Sequence, residues 1–297
     1  MDSAFYNSSN LKENLFMLKY HNVLTIAGSD SSGGAGIQAD LKTFSALGCY
    51  GMSVVTALTA QNTRGVVSVH PVPPAFIEDQ LEAVLKDLGA SAVKIGMLYS
   101  VEIIGAVARQ LKKYSPENIV LDPVMIAQSG DKLLQDDAVD ALKELLMPLS
   151  VVVTPNIPEA SVLVNHHIST FADMHGAAQE LSSLGSGGVL LKGGHLGGDE
   201  SFDLLYDCRK DQFITYKARR IKTGNNHGTG CTLSSAIAAY LAKGMSLDDS
   251  IRKAKVYVTG AIEAGRGYKM GGGHGPLHHF YQLWPSGYDG TETKSKT

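Results

Sequence analysis

Short β-prone runs alternate with segments of helical periodicity along most of this chain, and this alternation constrains the fold more than any other feature. The first unit begins with an apolar run at 23–27. It continues through a glycine-rich loop into a helix with apolar side chains at three- and four-residue steps from Ile37 to Leu47. Further units of this kind follow up to residue 194. Strands separated by helices predict an α/β fold with a mostly parallel central sheet and helices on both faces.

The same patterns predict the remaining elements and the domain boundaries. We expect strands at 51–59, 66–72, 92–97, 118–123, 151–155 and 189–194, helices near 73–88, 101–111, 138–146, 159–164 and 174–184, an antiparallel pair at 203–208 and 213–216, and two closing helices, one entered through 228–231 and one at 247–264. No linker or repeat interrupts residues 21–285, so one domain is expected there. Residues 1–20 are expected to be a flexible leader and residues 286–297 a disordered tail.

Charge and cysteine content narrow the class of function. The 26 Lys and Arg residues against 29 Asp and Glu residues give a net charge of −3, too balanced to indicate a nucleic acid or a membrane surface as partner. The three cysteines are odd in number and form no C-x-x-C pair, so neither a disulfide framework nor a thiolate zinc site is indicated. No apolar run reaches transmembrane length. We therefore expect a cytoplasmic protein that acts on a small molecule.

Polar and special residues stand at the carboxyl ends of the predicted strands. The groups are Gly28-Ser29-Asp30, Gln61-Asn62, Gly96-Met97, Asp122-Pro123, Thr154-Pro155-Asn156 and Lys192-Gly193-Gly194. The carboxyl ends of parallel strands meet at one rim, and ligands of open α/β sheets bind outside that rim. The sequence therefore predicts a single site built from these groups.

A glycine loop leads into a helix at His227-Gly228-Thr229-Gly230-Cys231. The glycines allow close approach of the backbone to a ligand, and the first helical turn offers unpaired N–H groups at the positive end of the dipole. An anion is expected there. The same field favours a thiolate, so Cys231 is a candidate base with a lowered pKa, and the combination indicates phosphoryl transfer. The alternative is a loop that caps a buried helix, with Cys231 as a small core residue.

Two other nucleotide-binding motifs, the Walker A loop and the dinucleotide fingerprint, are not supported by the sequence. A Walker A loop needs Lys directly after its last glycine, and after the glycine-rich loop at 28–36 the next lysine is Lys42, inside the predicted helix. The sequence Gly34-x-Gly36-x-x-Ala39 matches the loose dinucleotide fingerprint, but residues 54–60 contain no acidic residue for a ribose hydroxyl.

Three further groups each allow two interpretations. Asn156 and Glu159 follow a strand and could face a hydrated Mg²⁺, or Glu159 could only complement a helix dipole. Lys192 could reach a nucleotide phosphate, or its side chain could be solvated. His274, His278 and His279 suggest zinc, but without an H-E-x-x-H pattern they are also compatible with loop histidines that pack or cap.

Seven motifs follow one another along the chain. They are Ala27-Gly28-Ser29-Asp30-Ser31-Ser32-Gly33-Gly34-Ala35-Gly36-Ile37-Gln38-Ala39-Asp40, Thr56-Ala57-Leu58-Thr59-Ala60-Gln61-Asn62-Thr63, Lys94-Ile95-Gly96-Met97, Asp122-Pro123-Val124, Thr154-Pro155-Asn156-x-x-Glu159, Lys192-Gly193-Gly194-His195 and His227-Gly228-Thr229-Gly230-Cys231-Thr232. Taken together, these motifs resemble those of the hydroxymethylpyrimidine/phosphomethylpyrimidine kinases of thiamine biosynthesis, which have the three-layer ribokinase-like fold. The resemblance covers about residues 22–284.

The resemblance implies roles for individual residues. It implies phosphorylation of the pyrimidine hydroxymethyl group with ATP and Mg²⁺, followed by a second transfer onto the monophosphate. Cys231 would be the base, and the amides of Gly228, Thr229 and Gly230 the anion hole. Gln61 would recognise the pyrimidine in a pocket lined by Gly28, Ala35, Asp40, Met97 and Val124. Lys192, Asp122, Asn156 and Thr223 would serve ATP, and Glu159 would serve Mg²⁺.

The resemblance has one departure and leaves alternatives open. The family usually has Asn-Thr-His before the GTGC motif, whereas this chain has Asn225-Asn226-His227. A pyridoxal kinase is the nearest alternative, because related enzymes with such a loop phosphorylate the vitamin B6 ring. A catalytically silent nucleotide-binding protein would be expected to lack the base, the lysine or the metal carboxylate, and all three are present. The resemblance also implies a homodimer.

Overall fold

The computed structural model describes residues 19–127, 130–131, 133–135, 137–195 and 197–284. The predicted tail, and all but the last two residues of the predicted leader, lie outside these ranges. No helix within the described part of the chain is both long and apolar enough to cross a membrane.

The described strands form one nine-stranded sheet in the order β3-β2-β1-β4-β5-β6-β7-β8-β9. The strands are β1 Asn22–Asp30, β2 Tyr50–Asn62, β3 Gly65–Pro71, β4 Ala92–Ile95, β5 Ile119–Leu121, β6 Val152–Val153, β7 Gly188–Lys192, β8 Glu200–Asp207 and β9 Gln212–Arg219. The pairs from β2 through β1, β4, β5 and β6 to β7 are parallel. Strand β3 and the β8–β9 hairpin extend the two edges with antiparallel pairing.

Helices cover both faces of the sheet. The helices are α1 Gly36–Ala46, α2 Pro74–Asp87, α3 Val101–Tyr114, α4 Ala138–Leu145, α5 Ile157–Leu163, α6 Phe171–Ser182, α7 Thr229–Ala242 and α8 Leu247–Gly265. One buried apolar cluster joins the sheet to α2 through α6, and a second joins the other face to α1, α7 and α8. The predicted fold of a mostly parallel sheet between two helical layers is confirmed.

Helix α7 positions the site because it is apolar on almost every side. Its residues from Thr232 to Ala239 are all buried, so α7 lies between the sheet and its neighbours α1 and α8. A helix that is apolar all round is typical of a protein interior. Burial of this helix fixes its N-terminus, with Cys231 in the first turn, against the carboxyl ends of the central strands.

Candidate active site

One cavity lies at the carboxyl ends of the parallel strands, as the strand-end residues predict. It is lined by Ala27, Gly28, Ser29, Asp30, Ala35, Gly36, Thr59, Gln61, Lys94, Met97, Asp122, Val124, Ile126, Ala127, Leu133, Asn156, Glu159, Lys192, His227, Gly228, Thr229, Gly230 and Cys231. This set contains every predicted site residue except Asp40 and Thr223. The structure therefore brings together the candidate base, the anion-binding loop, the lysine and the candidate metal carboxylate.

The entry to α7 needs glycine at its cap. Gly228 adopts the left-handed conformation, with φ of 84°. A β carbon at this position would overlap the carbonyl oxygen of Gly34 in the loop after β1. The two glycine loops are thus in direct contact. Thr229, Gly230 and Cys231 of the first turn of α7 line the cavity, and Thr229 N–H donates to the carbonyl oxygen of Asn226 at 3.3 Å. First-turn N–H groups have no partners within their helix, which is the feature that anion sites use.

Asp30 holds these two loops together. Its Oδ1 accepts hydrogen bonds from the backbone N–H and the hydroxyl of Ser32, at 2.8 and 2.7 Å. Its Oδ2 accepts from the N–H groups of Gly34 and Ala35, at 3.1 and 2.8 Å, and lies 2.8 Å from His227 Nε2. Burial would raise the pKa of Asp30, but the hydrogen bonds from His227, Ser32 and Ala35 hold it far below its ordinary value. Asp30 is therefore an anion that joins the first loop to the second.

Gln61, the last residue but one of β2, lines the cavity beside Asp30 and His227. Its side-chain Oε1 lies 3.0 Å from the hydroxyl of Thr59, and its Nε2 lies 3.4 Å from His227 Nε2. The Thr59 hydroxyl also lies 2.9 Å from the carbonyl oxygen of Ser29. The sequence predicted Gln61 as a site residue but not Thr59. Side chains two residues apart on a strand lie on the same face, so the position of Gln61 could have identified Thr59.

Cys231 lines the cavity, but its charge state differs from the expected one. Burial raises the pKa of the Cys231 thiol to about 11, although the charge of Lys94 acts in the opposite direction. The expectation that the pKa of Cys231 is lowered is therefore wrong. That expectation rested only on the position of Cys231 at a helix N-terminus, and the burial of α7 outweighs the effect of the helix dipole.

Asp40 does not line the cavity as predicted. It is fully buried, and its carboxylate accepts hydrogen bonds from Thr25 at 2.6 Å and Ser235 at 2.6 Å and pairs with Lys94 at 2.9 Å. Lys94 has no exposed surface either, yet it lines the cavity. Burial would lower the pKa of Lys94, but the charges of Asp40, Cys231 and Asp122 raise it, so Lys94 is a cation. A lysine inside the apolar run 92–97 was the sequence signal for this missed residue.

A second lysine, Lys192, lies near two carboxylates of the cavity lining. Lys192 Nζ lies 2.7 Å from Asp122 Oδ1 and 3.9 Å from Glu159 Oε2. Burial would lower the pKa of Lys192, but the two carboxylates raise it. Burial would likewise raise the pKa of Asp122, and the charges of Lys192 and Lys94 bring it below its ordinary value. Lys192 and Asp122 are therefore both charged.

Glu159 combines the two roles that the sequence left open. It forms a capping box with Asn156: Glu159 N–H donates to Asn156 Oδ1 at 2.9 Å, and Asn156 N–H donates to Glu159 Oε2 at 2.8 Å. Both residues also line the cavity. Burial raises the pKa of Glu159 to about 7 against the opposing charge of Lys192. The cap fixes the carboxylate at the cavity wall, and one buried carboxylate beside phosphates suits Mg²⁺.

The remaining predicted residues lie around the second glycine loop. Thr223 lies outside the cavity lining, and its hydroxyl accepts the N–H of Asn225 at 3.0 Å. Asn226, the departure from the family motif, places its Oδ1 3.1 Å from His274 Nδ1.

His279, one of the three histidines considered for zinc, is buried. Its Nε2 lies 3.0 Å from the hydroxyl oxygen of Thr232, and burial lowers the pKa of His279 to about 4. Among the described residues, no three His, Cys, Asp or Glu side chains are grouped to hold a metal ion, so the zinc interpretation has no support.

The family model for phosphomethylpyrimidine kinase matches residues 30–278 of this chain. The chain belongs to the phosphomethylpyrimidine kinase family. Among its relatives, the hydroxymethylpyrimidine/phosphomethylpyrimidine kinase of Rhizobium meliloti is 52% identical over 262 residues, which cover 88% of this chain and 97% of that protein. The thiamine biosynthesis bifunctional protein ThiED of Geobacter sulfurreducens is 53% identical over 257 residues, 86% of this chain and 52% of that protein. The chain thus spans about half of this bifunctional relative.

Structures of pyridoxal kinases share the fold of this phosphomethylpyrimidine kinase family member. The ADP complex of Bacillus subtilis pyridoxal kinase has a TM-score of 0.82 and 38% identity, and the match covers 89% of this chain and 99% of that chain. The fold and kinase class expected from the sequence are confirmed by these similarities.

Proposed function

We propose that this protein transfers the γ-phosphoryl group of ATP to the hydroxymethyl oxygen of 4-amino-5-hydroxymethyl-2-methylpyrimidine, and then a second phosphoryl group to the resulting monophosphate. The observation that carries the proposal is the single cavity lined by Gln61, Lys192, Cys231 and the Gly228–Gly230 amides. These residues supply a reader for the pyrimidine, a cation, a base and an anion hole, the parts that phosphoryl transfer needs. The relatives named above support the same substrate.

In the first transfer, the substrate hydroxymethyl oxygen bonds to the γ-phosphorus as the bond to the ADP oxygen breaks. The hydroxyl proton passes to the Cys231 sulfur, which can accept it only as a thiolate. The N–H groups at the start of α7 lie where the transferred phosphoryl oxygens gain charge. Because burial raises the pKa of Cys231 to about 11, the ionised fraction of this thiol limits the first transfer near neutral pH.

In the second transfer, the nucleophile is a phosphate oxygen of the monophosphate. A phosphate monoester has its second pKa near about 6, so above that pH the attacking oxygen has no proton to lose. Cys231 is therefore needed as a base in the first transfer and not in the second. The Gly228–Gly230 amides and Lys192 serve both transfers, because each moves a phosphoryl group.

The ATP side of the cavity is held by residues around Lys192. Gly193 N–H donates to Asp203 Oδ1 at 3.1 Å, and a β carbon at Gly193 would overlap the carbonyl oxygen of Phe202. This fixes the backbone that follows Lys192 and leaves its ammonium facing Asp122 and the start of α7. Glu159, with substrate phosphates, would hold Mg²⁺, which supplies neutralisation of phosphate charge when bound.

The proposal extends to the setting in which the protein works. We propose a cytoplasmic homodimer, on the basis of the family resemblance. Sedimentation analysis of the purified protein tests the assembly: a monomer at micromolar concentration would contradict it.

A substrate panel with ATP and Mg²⁺ tests the function. Hydroxymethylpyrimidine, its monophosphate and pyridoxal are compared by kcat/KM, and the two pyrimidines are expected to be the better substrates. Pyridoxal belongs in the panel because of the similarity to pyridoxal kinase structures. A higher kcat/KM for pyridoxal than for both pyrimidines would overturn the proposal.

A further inference from the structure

Two contacts of the Gln61 side chain do not match the available hydrogen-bond donors and acceptors. The Thr59 hydroxyl lies within hydrogen-bonding distance of two acceptors, Ser29 O at 2.9 Å and Gln61 Oε1 at 3.0 Å, although one hydroxyl has only one proton. At its other end, the carboxamide places Nε2, a donor, 3.4 Å from His227 Nε2. Whether His227 Nε2 can accept that hydrogen bond depends on its own proton.

Asp30 decides where the His227 proton lies. The Asp30 carboxylate is 3% exposed and surrounded by donors from Ser32, Gly34 and Ala35, so it is ionised and can only accept. His227 Nε2, 2.8 Å from Asp30 Oδ2, must therefore carry a proton and donate it. A protonated Nε2 has no lone pair for the Gln61 amino group. Only an acceptor can face it.

When the oxygen and nitrogen of the Gln61 carboxamide exchange places, two donors no longer face each other at His227 and the Thr59 hydroxyl no longer has two acceptors. The single proton on His227 Nε2 then goes to Asp30 Oδ2 at 2.8 Å, and the Gln61 oxygen at 3.4 Å is a second, more distant acceptor. The oxygen and nitrogen of an amide are assigned from the surrounding network, and this network favours one assignment. The carboxamide oxygen then faces the N–H of His227. The amino group donates to the Thr59 hydroxyl, whose own proton goes to the Ser29 carbonyl oxygen. The Thr59 hydroxyl, the His227 Nε2–H and one N–H of the Gln61 amino group then each have an acceptor, and the second amino N–H is left for the substrate.

We propose that Thr59, together with the Asp30–His227 pair, fixes the orientation of the Gln61 carboxamide and so determines which way the substrate ring lies in the cavity. The inference rests on the proposed function and deepens it. Thr59 and Asp30 are positioning residues, because they act on the substrate through Gln61.

The orientation of the amide has a consequence for the reaction. In the substrate, the exocyclic amine stands between a ring nitrogen on one side and the hydroxymethyl carbon on the other. The amine donates to the Gln61 oxygen, on the His227 side, and the ring nitrogen accepts from the amino group, on the Thr59 side. The hydroxymethyl group then extends past His227 toward the Gly228–Gly230 loop and Cys231. With the amide reversed, it would extend away from them.

The test compares Thr59→Val with Thr59→Ser. Valine keeps the shape of threonine but removes the hydroxyl, whereas serine keeps the hydroxyl and serves as the matched control. Calorimetry without nucleotide measures binding of hydroxymethylpyrimidine and of its deamino analogue, 5-hydroxymethyl-2-methylpyrimidine. Thr59→Val is expected to bind hydroxymethylpyrimidine about tenfold more weakly and to lose about the same factor of discrimination between the two ligands. Thr59→Ser is expected to stay within about twofold of the wild type.

Other outcomes overturn the inference in distinguishable ways. If Thr59→Val weakens both ligands equally, or neither, while the wild type still phosphorylates hydroxymethylpyrimidine, the role of Thr59 is wrong and the proposed function stands. If the wild type does not bind hydroxymethylpyrimidine, the proposed function fails and this inference fails with it. Thermal midpoints of both variants show whether any loss comes from unfolding.

A spectroscopic measurement tests the proton on His227 without any substrate. Long-range ¹H–¹⁵N spectra of protein labelled with ¹⁵N-histidine report which ring nitrogen carries a proton, and a His227→Asn variant assigns the signal. A protonated Nε2 is the expected result. An unprotonated Nε2 would leave a lone pair for the Gln61 amino group and would overturn the assignment.

Discussion

Lys192 Nζ lies 2.7 Å from Asp122 Oδ1 and only 3.2 Å from the point where a β carbon of Gly230 would stand. The ammonium is thus held between a buried carboxylate and the first turn of α7. Thr154 and Ser234 donate to the same carboxylate at 3.1 and 3.2 Å, so Asp122 would keep its place if Lys192 turned toward a phosphate of the proposed ATP. A cation here adds to the positive end of the helix dipole at the point where we propose that an anion binds.

Replacing Lys192 with Met should impair the use of ATP. The variant keeps an unbranched, flexible side chain only one atom shorter and loses the charge proposed to face the phosphates. We expect kcat/KM for ATP to fall by about 10²-fold or more, as for removal of one group that stabilises transferred charge. Lys217→Met, at an exposed lysine of β9, is the control and should leave kcat/KM unchanged. An unchanged value in Lys192→Met would remove Lys192 from the ATP site.

Replacing Cys231 with Ala should separate the two transfers. We expect the rate of monophosphate formation to fall by about 10²–10⁴, the usual contribution of a positioned base. Diphosphate formation from added monophosphate should change much less. In the wild type, the first transfer should accelerate as the pH rises from 7 toward the raised pKa of about 11, because only the thiolate accepts the proton. Equal losses in both transfers would assign Cys231 to packing instead.

Replacement by alanine should impair the protein at one glycine of the second loop and have no effect at another. Gly228→Ala puts a side chain in a left-handed conformation and against the Gly34 carbonyl, so both the thermal midpoint and the activity should fall. Gly224→Ala, four residues earlier, meets no atom within 4 Å and should alter neither. Calorimetric melting and steady-state rates of the two variants measure these effects. Similar behaviour of the two variants would show that the contact between the glycine loops is unimportant.

The rim of the site could be predicted because a parallel sheet brings the carboxyl ends of its strands together. That rule grouped Gln61, Asp122 and Lys192 before any contact was known, and the structure places them in one cavity. Local signals were enough here. Strand ends, glycine loops and helix periodicity are all read within a few residues.

The features of the site that could not be predicted from the sequence depend on contacts between residues far apart in the chain. Asp30 meets His227 across 197 positions and Lys94 meets Asp40 across 54, and neither spacing has a pattern that identifies the partner. Asp40 was assigned to the pocket wall by the family resemblance, yet its carboxylate pairs with the buried Lys94. The pKa of Cys231 was misjudged for a related reason: burial is a property of the packed molecule, not of the first helical turn.

Replacing Gln61 with Leu should affect substrates selectively. An amide offers an acceptor beside a donor, which matches the amine and ring nitrogen of an aminopyrimidine, and pyridoxal cannot complete that pair. We expect kcat/KM for hydroxymethylpyrimidine to fall at least about tenfold, because its polar edge is left buried and unpaired. Any activity on pyridoxal should change much less. Equal losses on the two substrates would show that Gln61 only maintains the end of β2.

Binding of a divalent cation should depend on the protonation of Glu159. Burial raises the pKa of this carboxyl to about 7. Below that pH the group is protonated and loses its charge, so affinity should fall by about tenfold per pH unit as the pH drops from 7 toward 5, and level off above 8. Mn²⁺ is a suitable probe because carboxylate oxygens accept it as they accept Mg²⁺. Titration without nucleotide, followed by electron paramagnetic resonance, keeps nucleotide phosphates from contributing.

Glu159→Gln isolates this effect, since glutamine can still accept the Asn156 N–H of the capping box but cannot ionise. The variant should bind Mn²⁺ weakly and equally at pH 5 and pH 8. Glu263→Gln, at a half-exposed carboxylate on α8, is the control and should retain the pH dependence of the wild type. If the wild-type affinity does not change between these pH values, Glu159 is not the carboxylate that binds the ion, and its place in the cavity wall is explained by the helix cap alone.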